Sequence, residues 1–275
     1  MKFVRFGPAG AEKPGIIDAE GRLRDLSEEM DDLSGIVLTH LDDFSPEGMP
    51  LVGGNPRLGV PVAGVGKFIG IGLNYSDHAA EAGMDIPAEP IVFLKATSSL
   101  SGPHDPIRLP RGSVKTDWEV ELGVVIGKPA KYVSAEEALD HVAGYMVVND
   151  VSERAFQIER GGQWTKGKSC DSFGPCGPWL VTPDEAGEIA AMDLSLSVNG
   201  ARMQQGSAAN MIFSVARIIS YLSQMMTLHP GDIIATGTPA GVGMGMVPPR
   251  FLKPGDVVEL SISGLGTQRQ EVVPD

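Results

Sequence analysis

Cysteine is scarce in this sequence of 275 residues, where Cys170 and Cys176 are the only two. Their spacing fits neither a disulfide framework nor a zinc knuckle, so we expect a protein of the reducing cytoplasm. Basic side chains are also few, since 22 Lys and Arg stand against 35 Asp and Glu. The resulting net charge of −13 repels phosphate backbones, and nucleic acid is therefore not an expected partner.

Long apolar runs are missing as well. The longest uncharged stretch, residues 233–249, is interrupted by seven Gly and Pro residues and does not have the pattern of a membrane span. Near the N-terminus, Arg5 and Gly7 stand where a signal peptide needs a continuous apolar segment. We therefore expect neither a membrane span nor a signal peptide.

Glycine and proline are abundant, with 35 and 21 residues that together make about a fifth of the chain. They follow no fixed period, which is typical of a strand-rich globular protein with many turns. Hydrophobic residues make up 42% and charged residues 21%, an ordinary globular composition. The length suits a small domain joined to a larger one. We expect an α+β fold that is mostly β.

Residues 1–60 are predicted to form a small N-terminal α+β domain. MKFVRF alternates as a strand does, and GIIDAEGRLRDL has the pattern of a hairpin that turns at Glu20-Gly21. A short helix is predicted over residues 27–33. The segment 50–61 is rich in Gly and Pro and marks the boundary with a second, catalytic domain over residues 61–275.

The second domain is predicted to be mostly strand, with a few helices. Short apolar runs predict strands over residues 68–72, 118–126 and 144–148. Residues 74–83 begin with cap-type side chains and end at a glycine, which predicts a short helix. Apolar residues at helical spacing over 210–226 predict the longest helix.

Two glutamates occur in the segment DWEVELGVVIG. Alternate side chains of a strand share a face, so Glu119 and Glu121 should project together, about 6.5 to 7 Å apart. Two like charges beside an apolar run are costly unless something neutralises them, and a hard divalent cation would do so. The alternative is the solvated polar face of an amphipathic strand.

A third carboxylate, Asp150, follows the apolar run of GYMVVND. An aspartate at a strand end often belongs to a turn. A third oxygen ligand from a neighbouring strand would instead complete one face of an octahedral ion and leave the other positions for water and substrate. These two interpretations stay open on the residues alone.

His78 and Glu81 are three residues apart on the predicted helix 74–83 and share one face of it. Such a pair can act as a general base, with the carboxylate orienting the imidazole. Glycines flank the helix, as they flank many mobile lids. The alternative is an exposed ion pair.

Three further candidates follow Asp150. Lys168 lies in the segment QWTKGKSCD among apolar neighbours that could hold a lysine as the partner of an anion or enolate. Arg154 and Gln157 are one helical turn apart and could grip a substrate carboxylate. Solvated surface positions are the alternative for all three.

Seven segments in this order resemble the fumarylacetoacetate hydrolase family, and the resemblance covers about residues 61–273. They are GLNYSDHAAE, IVFLKATSSLSGP, DWEVELGVVIGK, GYMVVNDVSERAFQ, QWTKGKSCDSFGPCGPWLVT, LHPGDIIATGTPAGVG and LKPGDVVELSISGLG. The resemblance implies a mixed β-sandwich or roll-like catalytic domain with a metal centre, on a homodimer or a dimer of dimers. It therefore favours the cation at the carboxylates over the solvated strand face.

The resemblance also implies a role for each candidate residue. The metal ligands are Glu119, Glu121 and Asp150, and the ion is Mg²⁺ or Mn²⁺. The catalytic residues are the lid dyad of His78 and Glu81 together with Lys168, for which Lys166 is a weaker substitute. The substrate-binding residues are Arg154, Gln157 and Thr238.

The N-terminal segment and the sequence MTLHPGDIIATGTPAGVGMG resemble a narrower group, the bacterial hydrolases of 2,4-diketo-3-deoxy-L-fuconate and L-rhamnonate, often labelled ureidoglycolate lyase. The expected reaction is hydrolysis of a carbon–carbon bond in such a sugar acid, which gives pyruvate and L-lactate. Ureidoglycolate cleavage, oxaloacetate decarboxylation and hydrolysis of another acylpyruvate are alternatives on the same scaffold. A non-catalytic keto-acid binder is a further alternative, but it has no use for a general base.

Overall fold

Two β-sheets pack face to face around the main hydrophobic core. In the smaller sheet the strand Asp193–Val198 alternates, with Leu194, Leu196 and Val198 buried against the larger sheet. In the larger sheet the run Val120–Ile126 is buried along its whole length, because both of its faces are covered. The computed structural model describes all 275 residues.

The strands have the following bounds: β1 Lys2–Phe6, β2 Lys13–Ile17, β3 Leu23–Asp25, β4 Phe68–Gly72, β5 Ile91–Lys95, β6 Leu100–Ser101, β7 Ile107–Leu109, β8 Thr116–Asp117, β9 Val120–Ile126, β10 Val142–Asn149, β11 Ser152–Glu153, β12 Gly174–Val181, β13 Asp193–Val198, β14 Ala201–Ser207, β15 Ile233–Ala235, β16 Val257–Ile262 and β17 Gly266–Pro274.

The α-helices are α1 Ser76–Glu81, α2 Arg154–Ile158, α3 Thr165–Lys168, α4 Pro183–Ala186 and α5 Val215–Met225. Short 3-10 segments cover Gly35–Thr39, Leu41–Asp43, Thr97–Ser99, Ala138–His141, Ile189–Ala191, Ala208–Asn210 and Gly243–Gly245. None of these helices has both the length and the apolar character that crossing a bilayer requires.

The larger sheet runs β3-β2-β1-β12-β10-β9-β15-β4-β5, and β6 pairs with β12 beside it. The smaller sheet runs β14-β13-β16-β17-β7, and β8 and β11 form a separate pair. Most neighbouring strands are antiparallel, while β15 and β4 are parallel, so the large sheet is mixed. The prediction of an α+β, mostly β fold of the sandwich type is confirmed.

The N-terminal segment joins the edge of the larger sheet. Strands β2 and β3 form the predicted hairpin, and Gly21 has a positive φ of 77° in its turn. Strand β1 then pairs with β12, with Phe3 opposite Leu180, so hydrogen bonds cross the predicted boundary near residue 60. A second hydrophobic core lies between this segment and the outer face of the sheet. The division into two domains stays a prediction.

The predicted short helix over residues 27–33 is wrong. Residues 27–29 form a single turn, and the nearest helical segment is the 3-10 segment Gly35–Thr39. Asp32 turns back instead to pair with Arg5 of β1, whose Nε lies 2.7 Å from Oδ1 of the aspartate. A tertiary contact therefore overrides the local pattern that favours a helix here.

Two of the helices predicted in the larger domain, those over 74–83 and 210–226, exist but are shorter than expected. The helix predicted over 74–83 is α1, and the one predicted over 210–226 is α5. Helix α5 starts late because Ser214 is its N-cap, with Oγ accepting a hydrogen bond from the amide of Arg217 at 3.3 Å.

The strand predicted over 118–126 begins two residues late, at Val120. Glu119 leaves the regular ladder, because its amide donates to Oδ1 of Asn149 at 3.3 Å. Its carbonyl accepts a hydrogen bond from the amide of Asp150 at 2.9 Å. This local departure brings two of the predicted metal ligands side by side.

Candidate active site

Three acidic side chains meet at one end of the neighbouring strands β9 and β10. Glu119 directly precedes β9, Glu121 lies within it, and Asp150 follows β10. All three are buried, and one oxygen of each lies within 4.8 Å of the others. A cluster with only oxygen ligands fits a hard divalent cation such as Mg²⁺ or Mn²⁺.

Lys168 supplies a positive charge to this cluster. Its Nζ lies 2.6 Å from Oε2 of Glu119 and 2.6 Å from Oδ2 of Asp150. Burial opposes the charged ammonium, but the two carboxylates outweigh burial and raise the pKa of Lys168. Burial also opposes the charge of Glu119, yet Lys168 and Arg154 hold the pKa of that carboxyl below its usual range.

Glu121 differs from the other two carboxylates, because no cationic side chain bonds to it. Its hydrogen bond comes from the amide of Gly237, at 2.8 Å from Oε2. Burial, followed by the charges of Asp150 and Glu119, raises the pKa of Glu121 well above its usual value. A buried carboxylate that lacks a positive partner is the feature that a divalent cation would satisfy.

We expect the affinity of this centre for Mn²⁺ to rise with pH. A cation at this centre would be held by ionised Glu121, so the proton that the raised pKa retains would have to leave when the ion enters. Below that pKa the affinity should increase about tenfold per pH unit. Titration calorimetry in two buffers of different ionisation enthalpy measures both the Kd and the proton release. A Kd independent of pH, with no proton released, would contradict this prediction.

The same raised pKa affects the stability of the metal-free protein. Protonated Glu121 contributes stability that is present below the unfolded value of 4.5 and is lost as pH rises through the raised pKa. Added Mn²⁺ should therefore increase the Tm more at alkaline than at acidic pH.

Lys95 is a site residue that the sequence reasoning missed. Its Nζ lies 2.6 Å from Oδ1 of Asp150, and both side chains are fully buried. Burial and the nearby charge of Lys168 outweigh the attraction of Asp150, so the pKa of Lys95 is lowered. The available signal was a single charge at the end of the apolar run IVFLK, a position that surface lysines also occupy.

His78 and Glu81 share one face of α1 and form a hydrogen bond, as their spacing predicts. Nδ1 of His78 lies 3.1 Å from Oε2 of Glu81, and the other oxygen of that carboxylate accepts from the amide of Gly241 at 2.9 Å. Burial opposes the charge of Glu81, but these two hydrogen bonds lower its pKa. The carboxylate therefore orients the imidazole while it is anchored to a neighbouring loop.

Arg154 is buried rather than solvated on a helix surface. Its Nη2 donates to Oε1 of Glu119 at 2.6 Å, and its Nε donates to Oδ2 of Asp117 at 2.9 Å. Its Nη1 donates to Oε1 of Gln157 at 3.1 Å. The arginine therefore holds a predicted metal ligand and orients the side chain of Gln157.

Thr238 lies at the same site with its hydroxyl already engaged. The hydroxyl donates to the carbonyl of Val120 at 2.9 Å and accepts from Nε2 of Gln204 at 2.8 Å. Lys166, the weaker substitute for Lys168, lies away from the carboxylates, with its Nζ 2.6 Å from the carbonyl oxygen of Arg160.

Most of the predicted site residues line one cavity of about 140 Å³. Its lining includes eight of the nine predicted site residues, namely His78, Glu119, Glu121, Asp150, Arg154, Gln157, Lys168 and Thr238. The ninth, Glu81, contacts the cavity through His78. The structure thus brings together residues that are up to 160 positions apart in the chain.

Apolar side chains line the cavity together with the polar site residues. Phe93 and Trp164 form an aromatic wall, with ring centroids 5.5 Å apart. Glycines beneath this wall make room for it, because a Cβ on Gly70 would lie 2.2 Å from the Phe93 ring and one on Gly72 would lie 2.5 Å from the Trp164 ring. The Phe93 ring also lies 5.0 Å from Nζ of Lys168, so the aromatic wall borders the carboxylate cluster. A cavity with this mixed lining can hold a small ligand that has both charged and apolar groups.

Known proteins resemble this chain over most or all of its length. The C-terminal family of fumarylacetoacetate hydrolases matches residues 67–273. A Burkholderia multivorans protein that carries only the provisional name of hydrolase is 61% identical over 276 residues, covering 98% of both chains.

Solved structures show the same similarity. The fumarylacetoacetate hydrolase of Exiguobacterium antarcticum has a TM-score of 0.89 and 37% identity, covering 100% of both chains. The maleylpyruvate hydrolase of Sphingobium sp. SYK-6, solved with manganese(II) and pyruvate, has a TM-score of 0.82 and 28% identity, covering 100% of this chain and 99% of that one. From the family match and the relatives that share its full length, we conclude that this chain belongs to the fumarylacetoacetate hydrolase family.

Proposed function

We propose that this protein hydrolyses a carbon–carbon bond in a 2,4-diketo acid and that it needs Mg²⁺ or Mn²⁺ to do so. The observation that carries the proposal is one cavity that joins a buried three-carboxylate centre to the base dyad on α1. The Sphingobium relative, which holds manganese(II) and pyruvate, supports both the cation and the keto-acid class.

The ligands would be Glu119, Glu121 and Asp150, and the cation would supply a template and Lewis acid for the keto-acid end of the substrate. Gln157 lies in the cavity wall with its amide oxygen held by Arg154, which leaves its NH₂ group to donate to a substrate carboxylate.

His78 is the general base in this mechanism. Held by Glu81, the imidazole takes a proton from a water molecule, which attacks the C4 carbonyl of the substrate. Cleavage of the C3–C4 bond then transfers its electron pair to the pyruvate fragment as an enolate. The water oxygen stays on the other fragment, which leaves as a carboxylate.

Lys168 stabilises the enolate. Its ammonium is kept charged by two carboxylates and lies in the cavity wall, close to where the negative charge develops. Protonation of C3 by the proton that His78 took from water completes pyruvate and restores the neutral imidazole, and the second proton of water is released when the new carboxylic acid ionises to the carboxylate. One water is consumed for each bond cleaved.

For the substrate, we propose 2,4-diketo-3-deoxy-L-rhamnonate or L-fuconate. The two names describe one molecule, because C5 is the only stereocentre left and has the same configuration in both sugars, and its terminal methyl group suits the aromatic wall of Phe93 and Trp164. Its cleavage gives pyruvate and L-lactate. The Burkholderia relative is similar over the full length of the chain, including the N-terminal segment, but its name gives no substrate.

The aromatic wall should determine the KM of the enzyme more than its kcat. Trp164→Ala removes a ring that contacts the substrate tail but no group that takes part in bond cleavage, so the KM should rise about tenfold while kcat changes little. Trp179→Ala, which lies outside the cavity, is the control. Steady-state kinetics of both variants measure the effect, and an unchanged KM in Trp164→Ala would be evidence against the assigned tail site.

Two other reactions compete for this site, namely oxaloacetate decarboxylation and ureidoglycolate cleavage. Incubation of the Mn²⁺-loaded enzyme with each substrate, followed by product analysis, distinguishes them. The proposal expects pyruvate and lactate in equal amounts from the sugar acid at a rate well above the other two. Turnover of only oxaloacetate or ureidoglycolate would overturn the assigned substrate.

We also propose that the protein acts in the cytoplasm as a homodimer or a dimer of dimers. Light scattering of the purified protein should then give at least twice the chain mass of 29.0 kDa. A monomer that retains full activity would contradict the proposed assembly.

A further inference from the structure

A buried carboxylate outside the predicted site connects the cavity to the loop that holds the lid. Asp117 is fully buried beside the cavity. Its Oδ1 accepts from the amide of Gly243 at 2.7 Å, and its Oδ2 accepts from the amide of Met244 at 3.0 Å. The same Oδ2 accepts from Nε of Arg154 at 2.9 Å. One side chain therefore fixes both the loop and an arginine of the site.

On one side, the loop 241–245 is the docking surface of α1. Glu81 accepts a hydrogen bond from the amide of Gly241 at 2.9 Å. Gly245 lies against the same carboxylate, since a Cβ there would stand 2.7 Å from Cδ of Glu81. A change in the position of this loop would therefore move the residue that orients His78.

On the other side, Arg154 holds Glu119 at a distance of 2.6 Å between Nη2 and Oε1. The guanidinium is planar, so its bond to Asp117 through Nε fixes the direction of Nη2 toward Glu119. A loss of the first bond should release the second from its present geometry.

We propose that Asp117 is a positioning residue that couples the docking of α1 to the orientation of Glu119. It acts through the amides of Gly243 and Met244 on one side and through Arg154 on the other. Its effect on turnover rests on the proposed function, whereas its effect on the order of α1 does not.

The chain offers a matched control in Asp232, which is also buried but lies outside the cavity. It accepts hydrogen bonds from the amides of Lys67 and His229 at 2.8 and 2.7 Å, and it pairs with Nζ of Lys67 at 2.6 Å. Asp232 thus makes the same kinds of bonds as Asp117, namely bonds to backbone amides and to one cationic side chain, although Asp117 accepts from a third amide, that of Trp118, at 2.9 Å. Asp232→Asn reports what a purely structural loss does.

The test compares Asp117→Asn with Asp232→Asn by hydrogen exchange of residues 76–81 and 241–245 and by Mn²⁺ titration. Asp117→Asn should accelerate exchange in both segments about tenfold and weaken Mn²⁺ binding about tenfold, whereas Asp232→Asn should change neither. Mn²⁺ should slow exchange of α1 in the unmodified protein, because coupling is reciprocal, and this slowing should disappear in Asp117→Asn. Equal behaviour of the two variants would overturn the proposal.

Turnover adds a second readout. Asp117→Asn should lower kcat about 10- to 100-fold with a smaller change in KM, and adding Glu81→Gln should lower it by less than the product of the two single effects. If the loss of kcat in the double variant equals the product of the two single losses, Asp117 and Glu81 act independently and the proposed coupling is wrong. If Asp117→Asn does not fold, Gly245→Ala is the second variant, because its methyl group displaces Glu81 and does not touch Asp117. It should also weaken Mn²⁺ binding. Unchanged Mn²⁺ binding in Gly245→Ala would contradict the coupling.

The two proposals fail in different ways. If the unmodified protein releases no pyruvate but Asp117→Asn selectively loosens α1, the proposed function is wrong and the positioning role stands. If the unmodified protein is active and Asp117→Asn behaves as Asp232→Asn does, the proposed function stands and the positioning role of Asp117 is wrong.

Discussion

Glu121→Gln is expected to lower pyruvate release on the order of 10³-fold, because it removes a ligand of the cation on which the reaction depends. The same change should stabilise the metal-free protein. At a pH above the raised pKa of Glu121, the ionised carboxylate lies beside the charges of Asp150 and Glu119 without a cationic partner, and a neutral amide of the same shape removes that repulsion. At such an alkaline pH we expect the Tm in EDTA to rise by about 2–4 °C, and at a pH below the raised pKa the gain should disappear.

This pair of opposite effects distinguishes a metal ligand from a residue that merely supports the fold. A damaged fold would lower both activity and Tm, whereas the predicted variant loses activity and gains stability. Glu259→Gln, an exposed glutamate on β16, is the control and should change neither quantity. Turnover within tenfold of the unmodified enzyme in Glu121→Gln would show that the assigned ligand is wrong.

His78→Ala should lower hydrolysis of the diketo acid by about 10²- to 10⁴-fold, which is the usual contribution of a general base. Binding of Mn²⁺ should be retained, because His78 lies on α1 and is not one of the three clustered oxygen ligands. Decarboxylation of oxaloacetate needs no attacking water, so any such side activity should survive this substitution better than hydrolysis does. Steady-state assays with both substrates measure the difference.

His141→Ala is the control for that experiment, because the side chain of His141 hydrogen-bonds the carbonyl of Lys128 and does not line the cavity. Glu81→Gln keeps the shape of the orienting side chain and should lose less activity than His78→Ala. Equal losses in hydrolysis and decarboxylation, or none in hydrolysis, would exclude His78 as the base that activates water.

The sequence predicts those parts of the fold that depend on local pattern. The hairpin at Gly21 needs only turn chemistry and two short apolar strands, and the buried run of β9 is apolar throughout. The helix predicted over residues 27–33 does not form. Asp32 in that segment pairs instead with Arg5, which lies 27 positions earlier in the chain. No local window contains that ion pair.

The candidate site divides in the same way. The spacing of His78 and Glu81 on one helical turn could be predicted, as could two glutamates on one strand, and the resemblance to the family added the rest. Lys95 could not be predicted, because its partner Asp150 lies 55 positions away, and a lysine at a strand end is most often solvated. Sheet order alone does not predict the pairing either, since β9, β15 and β4 lie between β10 and β5 in the sheet.

The glycines of the site carry a signal that was visible but could not be interpreted. Gly70 and Gly72 occur in the strand FIGIG, where glycine usually weakens a strand. Their purpose becomes clear only when the rings of Phe93 and Trp164 are seen to lie against them. Distant aromatic residues therefore explain a local irregularity.

The central claim is that the centre of Glu119, Glu121 and Asp150 binds the divalent cation that the hydrolysis requires. The most direct test removes metal from the purified protein with EDTA, adds Mn²⁺ stepwise, and follows both bound ion and pyruvate release from 2,4-diketo-3-deoxy-L-rhamnonate. The account predicts no turnover before addition and a linear gain that saturates at one ion per chain. Undiminished pyruvate release in excess EDTA, or activation without bound ion, would contradict it.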